Sequence, residues 1–251
     1  MTQDDEPVDC GFQTVPAAEK ARRVGRVFES VAQRYDVMND LMSAGLHRIM
    51  KRITIEMSGV RVGHSVLDLA GGTGDLAALY APLVGDMGRV VLADINGAMM
   101  GVGRDRLLDR GLTNVAFCQG DAEALPFADA SFNCVTIGFG LRNVTHKERA
   151  LAEMHRVLRP NGRLLVLEFS KPENPIVAAG YAAFQTLWPA IGRMVTGDAN
   201  AYRYLVESIE MHPSQKALRL MITDAGFDNA AYENLLNGIV AIHHADRAST
   251  P

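Results

Sequence analysis

Short apolar runs at 65–69, 89–93, 115–118, 133–137 and 163–168 alternate with stretches at 75–84, 97–110 and 146–158 in which apolar side chains recur every three or four positions. The runs have the density of strands buried on both faces and the stretches have the period of helices. The chain therefore reads as successive strand–helix–strand units building a parallel sheet covered on both sides. Gly85, Gly88, Gly111 and Gly162 fall at the junctions, as helix stops and turns should. Upstream, Ala21, Val24, Val27, Phe28 and Val31 recur at helical spacing between Ala17 and Arg34, with Lys20, Arg22, Arg23 and Arg26 interleaved. A second helix is predicted from Leu46 to Met57, and residues 1–15, which are polar, are expected to be loose.

After Glu168 the rhythm breaks. Residues 174–192 carry no charge yet include Pro175, Gly180, Gln185, Pro189 and Gly192, which disfavours a continuous membrane-spanning helix and favours an apolar helical insertion or lid. A helix near 214–225 precedes the β-like runs Asn229–Leu235 and Gly238–His243. These two are too closely linked for a crossover helix, so an antiparallel hairpin should close the sheet. One domain is expected over 1–251: an N-terminal helical cap (1–60), a cofactor-binding core (61–170), the insertion (171–212) and a C-terminal helix with the closing hairpin (213–251).

With 251 residues, 48% of them hydrophobic, the chain can bury a full core. A net charge of −4 and the lack of a basic run argue against nucleic-acid binding. Cys10, Cys118 and Cys134 are too few and too scattered for a disulfide framework or a metal site, which suits a reducing cytosol. Asp4, Asp5 and Glu6 are the opposite of a cationic secretory leader, so residence on the cytoplasmic side is expected.

The chemistry concentrates at Val66–Asp75, Val-Leu-Asp-Leu-Ala-Gly-Gly-Thr-Gly-Asp. An apolar run ends in an acid and breaks into a glycine turn that opens a helix. Gly71, Gly72 and Gly74 allow positive φ and let backbone N–H groups approach a ligand. The segment from Gly72 to Ala77 also satisfies a loose dinucleotide fingerprint, with Asp94 about twenty residues on. A pyrophosphate would sit badly beside Asp68 and Asp75, however, whereas S-adenosylmethionine carries an ammonium and a sulfonium that they attract. Ligands of such sheets bind outside the carboxyl ends of the strands, and each end here delivers an acid: Asp68, Asp94 and then Asp121 in Gly-Asp-Ala-Glu. Asp94 can accept both ribose hydroxyls and Asp121 the adenine amine; Asp121 as a helix N-cap is the competing reading.

Asp-Leu-Ala-Gly-Gly-Thr-Gly-Asp (68–75), Ala-Asp-Ile-Asn (93–96), Ala-Glu-Ala-Leu-Pro-Phe (122–127) and the run 156–169 resemble class I S-adenosylmethionine-dependent methyltransferases. Tyr-Asp-Val-Met-Asn-Asp-Leu-Met-Ser (35–43), His47-Arg48, Phe-Gly-Leu-Arg-Asn-Val-Thr (139–145), Glu-Phe-Ser-Lys-Pro (168–172) and Tyr-Arg-Tyr-Leu-Val-Glu-Ser-Ile (202–209) narrow the resemblance to the UbiE/MenG-type C-methyltransferases of ubiquinone and menaquinone biosynthesis, over residues 11–243. The resemblance implies an α/β, Rossmann-like class I methyltransferase: a seven-stranded, mostly parallel sheet with an antiparallel last strand, N-terminal helices and a helical insertion after the fifth strand. It implies donor contacts at Thr73, Asp94 and the Asp121–Ala122 pair, which join Asp68, Gly72 and Gly74 read from the turn itself and a contact at Gly138; no metal is required. The family often has Asn at Asp121 and Ser at Gly138.

The implied acceptor is a polyprenylated quinol methylated on a ring carbon. Ionising a hydroxyl of pKa ~10 at pH 7 costs ~4 kcal/mol and turns the ring into a carbon nucleophile, so a base or an anion-stabilising donor should assist. Arg142 and Asn143, after the fourth strand, are the candidates for holding the acceptor oxygens, with Tyr35 and His47 beside them; an Arg142 tied to an acid at the sheet end is the bland alternative. At ~0.8 kcal/mol per buried methylene, the tail keeps the quinol in the bilayer, so transient contact with the inner membrane surface is expected through the N-terminal helix or residues 174–192. A homo-oligomer and a quinone-biosynthesis complex are both left open as assemblies. The rivals are a nicotinamide-dependent oxidoreductase and a non-catalytic scaffold of the same fold.

Overall fold

The computed structural model describes residues 5–31, 39–40, 43, 45–186, 188 and 199–249. Its main sheet takes five parallel strands from the apolar runs: β3 (Ser65–Leu69), β4 (Arg89–Asp94), β5 (Val115–Gln119), β6 (Phe132–Gly138) and β7 (Leu158–Phe169). β8 (Asp228–Leu235) and β9 (Val240–Asp246) form the closing hairpin. The order across the sheet is β5-β4-β3-β6-β7-β9-β8, with β9 antiparallel to both of its neighbours. Strand order reverses between β3 and β6, which opens a crevice at their carboxyl ends. The expected seven strands and antiparallel last strand are both present.

Alternate residues of the strands feed two cores. Leu67, Val91, Val135, Leu164 and Val166 face α5 (Lys147–Val157) and α8 (Gln215–Asp224). Val66, Val90, Leu92, Leu165 and Leu167 face α3 (Asp75–Val84), α4 (Gly97–Asp109) and α2 (Leu46–Met57). This two-sided burial is why the strands read as unbroken apolar runs. Helix starts follow local chemistry: Asn96 caps α4 by accepting from the N–H groups of Ala98 and Met99, and Ser214 caps α8 through Ala217.

Residues 1–15 are not uniformly loose. Pro7–Cys10 (β1) and Gln13–Pro16 (β2) pair as an antiparallel hairpin that leads directly into α1 (Ala17–Val31). Cys10 and Val15 are buried, and Phe12 N–H donates to Glu207 of α7 (Ala199–Met211), so tertiary contacts order a segment that is polar by composition. Of the insertion, α6 (Pro175–Gln185) starts at an Asn174 cap and Trp188 is buried; most of residues 187–198 and the helical extension expected at 32–34 lie outside the described residues.

The turn joining β3 to α3 sits against α4, where a Cβ added to Gly103 would come within 2.5 Å of the Gly72 carbonyl oxygen. Backbone cannot yield as a side-chain tip can. Gly103→Ala should therefore destabilise the protein by about 1–3 kcal/mol, read as a lower urea midpoint, although alanine is the better helix former.

Candidate functional site

A crevice of about 310 Å³ runs along the carboxyl ends of β3, β4, β5 and β6. Asp68, Gly72, Thr73, Asp94, Asp121, Ala122 and Gly138 all line it, and Asn143 joins them from the short helix Leu141–Asn143. Gly72 and Gly74 have φ of +53° and +82°, which glycine adopts at little cost. Gly71, by contrast, serves close approach: a Cβ there would meet the Leu92 side chain at 2.7 Å. Ala70 and Phe139 also hold positive φ, at 49° and 56°, where β3 and β6 give way to the crevice. Strained backbone of this kind is found where a site over-determines its geometry.

Two buried carboxylates shape the cradle. Asp94 accepts from Gly72 N–H at 2.9 Å and Asn96 N–H at 2.8 Å, tying the glycine turn to the start of α4. Asp68 accepts from Ala77 N–H at 3.0 Å through one oxygen, while its Oδ1 is buried with no hydrogen-bond partner among the described residues. Burial raises the Asp68 carboxyl to about 7, opposed by the Ala77 hydrogen bond and by Lys51. An orphaned acceptor beside a glycine cradle, with further carboxylates at Asp94 and Asp121, fits a cationic donor bearing an adenosine. Gly138 leaves no room for the family's serine without moving Leu76, whose Cδ1 lies 2.8 Å from the added Cβ.

Some sequence expectations change. Asp75 is not free to attract a ligand: Lys51 Nζ at 2.6 Å and Arg106 at 2.8 Å neutralise it and hold its carboxyl down at about 2 against the cost of burial. Asp121 does not cap a helix; its Oδ1 accepts from Glu123 N–H at 2.9 Å in a turn. Arg142 is a buried ion pair with Glu168 at 2.8 Å, its Nη1 also donating to Phe139 O. Glu168 further accepts from the N–H groups of Arg142 and Phe169, so the bland alternative describes the side chain's position. His47 is buried; its Nδ1 shares a hydrogen bond with Ser43 Oγ at 2.8 Å and its Nε2 lies 3.8 Å from Asp40 Oδ1. The wall takes Lys51, one turn further along α2. Tyr35 lies outside the described residues.

Several wall residues were not singled out from sequence. Ala21, Val24, Gly25 and Phe28 turn a face of α1 into the crevice cover, which gives the apolar stripe of that helix an internal use. Asn96 anchors the cover through Gly25 O at 3.1 Å; its cap position before an apolar helix was the available signal. Tyr204 donates to Asn143 Oδ1 at 3.1 Å, a contact spanning 61 residues that no local pattern announces.

The chain matches the model of the ubiE/COQ5 methyltransferase family over residues 16–247. It belongs to that family. The ubiE/COQ5 assignment makes it an enzyme of the methyltransferase class and removes the dinucleotide reading of the glycine turn. A relative from Cellvibrio japonicus, named ubiquinone/menaquinone biosynthesis C-methyltransferase UbiE, is 60% identical over 93% of this chain and 94% of its own. Among solved structures, an S-adenosylmethionine-dependent methyltransferase from Aquifex aeolicus matches with a TM-score of 0.63 at 17% identity, over 85% of this chain and 98% of that one. The [4+2]-cyclase SpnF matches with 0.68 at 18% identity, over 92% of this chain and 97% of that one. At these identities both likenesses show the fold alone.

Two outcomes follow from the buried groups. Arg142→Ala strands the Glu168 carboxylate and should cost about 3–5 kcal/mol in denaturant unfolding, most of it recovered by adding Glu168→Gln. Asp68 keeps a proton in the folded protein that the unfolded chain releases near pH 3.8, so its contribution to stability should fall as pH rises from about 4 to 7 and level off above. Asp68→Asn should flatten that slope in melts taken across the range.

Proposed function

We propose that the chain methylates a ring carbon of a polyprenylated quinol in ubiquinone or menaquinone biosynthesis, with S-adenosylmethionine as methyl donor. The observation that carries this reading is the acid-walled glycine cradle, with its unpartnered Asp68 oxygen, in a chain 60% identical to a C-methyltransferase of those pathways. When bound, the donor supplies a methyl group on a positively charged sulfur. Asp68 Oδ1 would accept from its ammonium, and Asp94, with one backbone donor on each oxygen, retains lone pairs for the ribose hydroxyls. Asp121 would take the adenine amine, with Thr73, Gly72, Ala122 and Gly138 lining the cradle and Gly74, at φ of 82°, turning the chain behind it.

The acceptor side is assigned to Asn143, which lines the crevice, to Tyr35, and to Arg142, which is buried behind the wall and acts on the acceptor through its field. Glu168 and the Phe139 carbonyl fix the Arg142 guanidinium, which lies 5.5 Å from the centre of the Phe169 ring. A cation so held favours an ionised ring hydroxyl by its field and cannot itself take the proton. Asn143, oriented by Tyr204, presents its amide nitrogen to a ring oxygen. His47, held between Ser43 Oγ and Asp40 and with its pKa lowered by burial, we assign to α2 positioning next to Lys51.

The prenyl tail brings the enzyme to the inner membrane surface. No helix among the described residues is long and apolar enough to cross a membrane. α6 is uncharged and largely exposed, with Ile176 at 83% and Phe184 at 42%, which suits shallow insertion among lipid tails.

Purified enzyme given methyl-labelled S-adenosylmethionine with short-chain demethylmenaquinol or a 2-methoxy-6-prenyl-benzoquinol should label a ring carbon of one or both. Donor binding without transfer to either would overturn the assignment in favour of a scaffold. Asp94→Ala should weaken donor binding at least about tenfold, while Asn143→Ala should lower kcat at an unchanged donor Kd.

A further inference from the structure

A second cavity, of about 230 Å³, shares Thr145 with the crevice wall. Lys20 of α1, Lys147 at the start of α5, Arg142 and Tyr204 meet on its lining, and the acid there is Asp9, exposed on β1. Lys20 is only 5% exposed, and its Nζ donates to Val144 O at 3.3 Å. Lys147 Nζ donates to the same carbonyl at 3.2 Å. Two ammonium groups are thus held within two hydrogen-bond lengths of one another, each with one of three donors engaged. Among the described residues neither is ion-paired. Of the acids near them, Glu168 is committed to Arg142 and Glu123 to the N–H of His146, while Glu148 and Asp9 act on the lysines through their field alone.

A pair of like charges beside a cavity is costly to fold unless something compensates it. Burial, and then Lys147, lower Lys20 to about 8, and burial lowers Lys147 as well, against the pull of Glu148 and Glu168. Packing alone does not call for this arrangement, since a methionine at position 20 would fill the same space. A bound oxyanion removes the repulsion and takes up the idle donors. The hydroxyls of Tyr204 and Ser208 already donate to Asn143 and Leu205, so they add no donors and the lysines must carry recognition.

We propose that this cavity is a binding site for a phosphate-class oxyanion, clasped by Lys20 and Lys147 and separate from the methyl-donor crevice. The phosphate is either soluble or a lipid headgroup at the membrane surface. Through Tyr204, which lines the cavity and bonds Asn143, occupancy is transmitted to the crevice wall.

The test is thermal unfolding and calorimetric titration of the full-length protein with inorganic phosphate, against chloride at equal ionic strength and pH 7. A saturable rise in Tm with one site per chain is expected, with affinity at least tenfold weaker in Lys20→Met and in Lys147→Gln, both of which should still bind S-adenosylmethionine. If Lys20→Met does not fold, Lys147→Gln at the more accessible helix start decides alone. An unsaturable shift, or one undiminished in the variants, would sink the proposal. Flotation on phosphatidylglycerol vesicles assigns the source: binding that free phosphate displaces and that Lys20→Met weakens marks a headgroup site, while calorimetric binding with no such competition marks a soluble phosphate.

Discussion

Much of this molecule depends on how Asp94 is satisfied at the end of β4. A carboxylate 8% exposed must find donors within the protein, and it finds them in the backbone of Gly72 and Asn96. One hydrogen bond fixes the glycine turn after β3; the other fixes the first turn of α4. Because those donors are main-chain groups, the turn and the helix cannot shift independently without stranding a buried charge. The cradle is therefore rigid before any ligand arrives, and the absence of a side chain at Gly103 lets α4 close on it.

The N-terminal helices cover this cradle through contacts of the same kind. Lys51 of α2 reaches Asp75 at the opening of α3, and Arg106 of α4 meets the same carboxylate from the other side. Asn96 holds Gly25, and Lys20 holds Val144, so α1 is anchored over both the cofactor half and the acceptor half of the crevice. Cover and core are joined by polar bonds spanning 24, 71 and 124 residues, while apolar packing fills the spaces between.

How far the chain could be read in advance follows the range of its interactions. β4 and β6 lie within a residue of the apolar runs, because two-sided burial writes itself into consecutive positions. β7 extends back to Leu158 since that residue pairs with Phe132 across a bulge, which periodicity does not mark. The hairpin β1–β2 is local in register and turns at Gly11 with φ of 62°, but its polar composition masks it and the contact that orders it, with Glu207, lies 195 residues away. The same holds for charge. Acids at 68, 75 and 94 look alike in sequence, yet one keeps an oxygen without a partner, one is doubly ion-paired and one has a backbone donor on each oxygen. Arg142 and Glu168 stand 26 residues apart, and only the parallel pairing of β6 with β7 brings them together.

The position of β9 has a consequence for synthesis of the protein. Although residues 240–246 come last among the strands, they sit inside the sheet between β7 and β8. Until that segment has left the ribosome, β7 presents an unpaired edge and β8 has no partner, so the nascent chain carries an open, sticky flank through roughly the last third of its translation. Loss of these residues would remove an internal plank and not a trailing end.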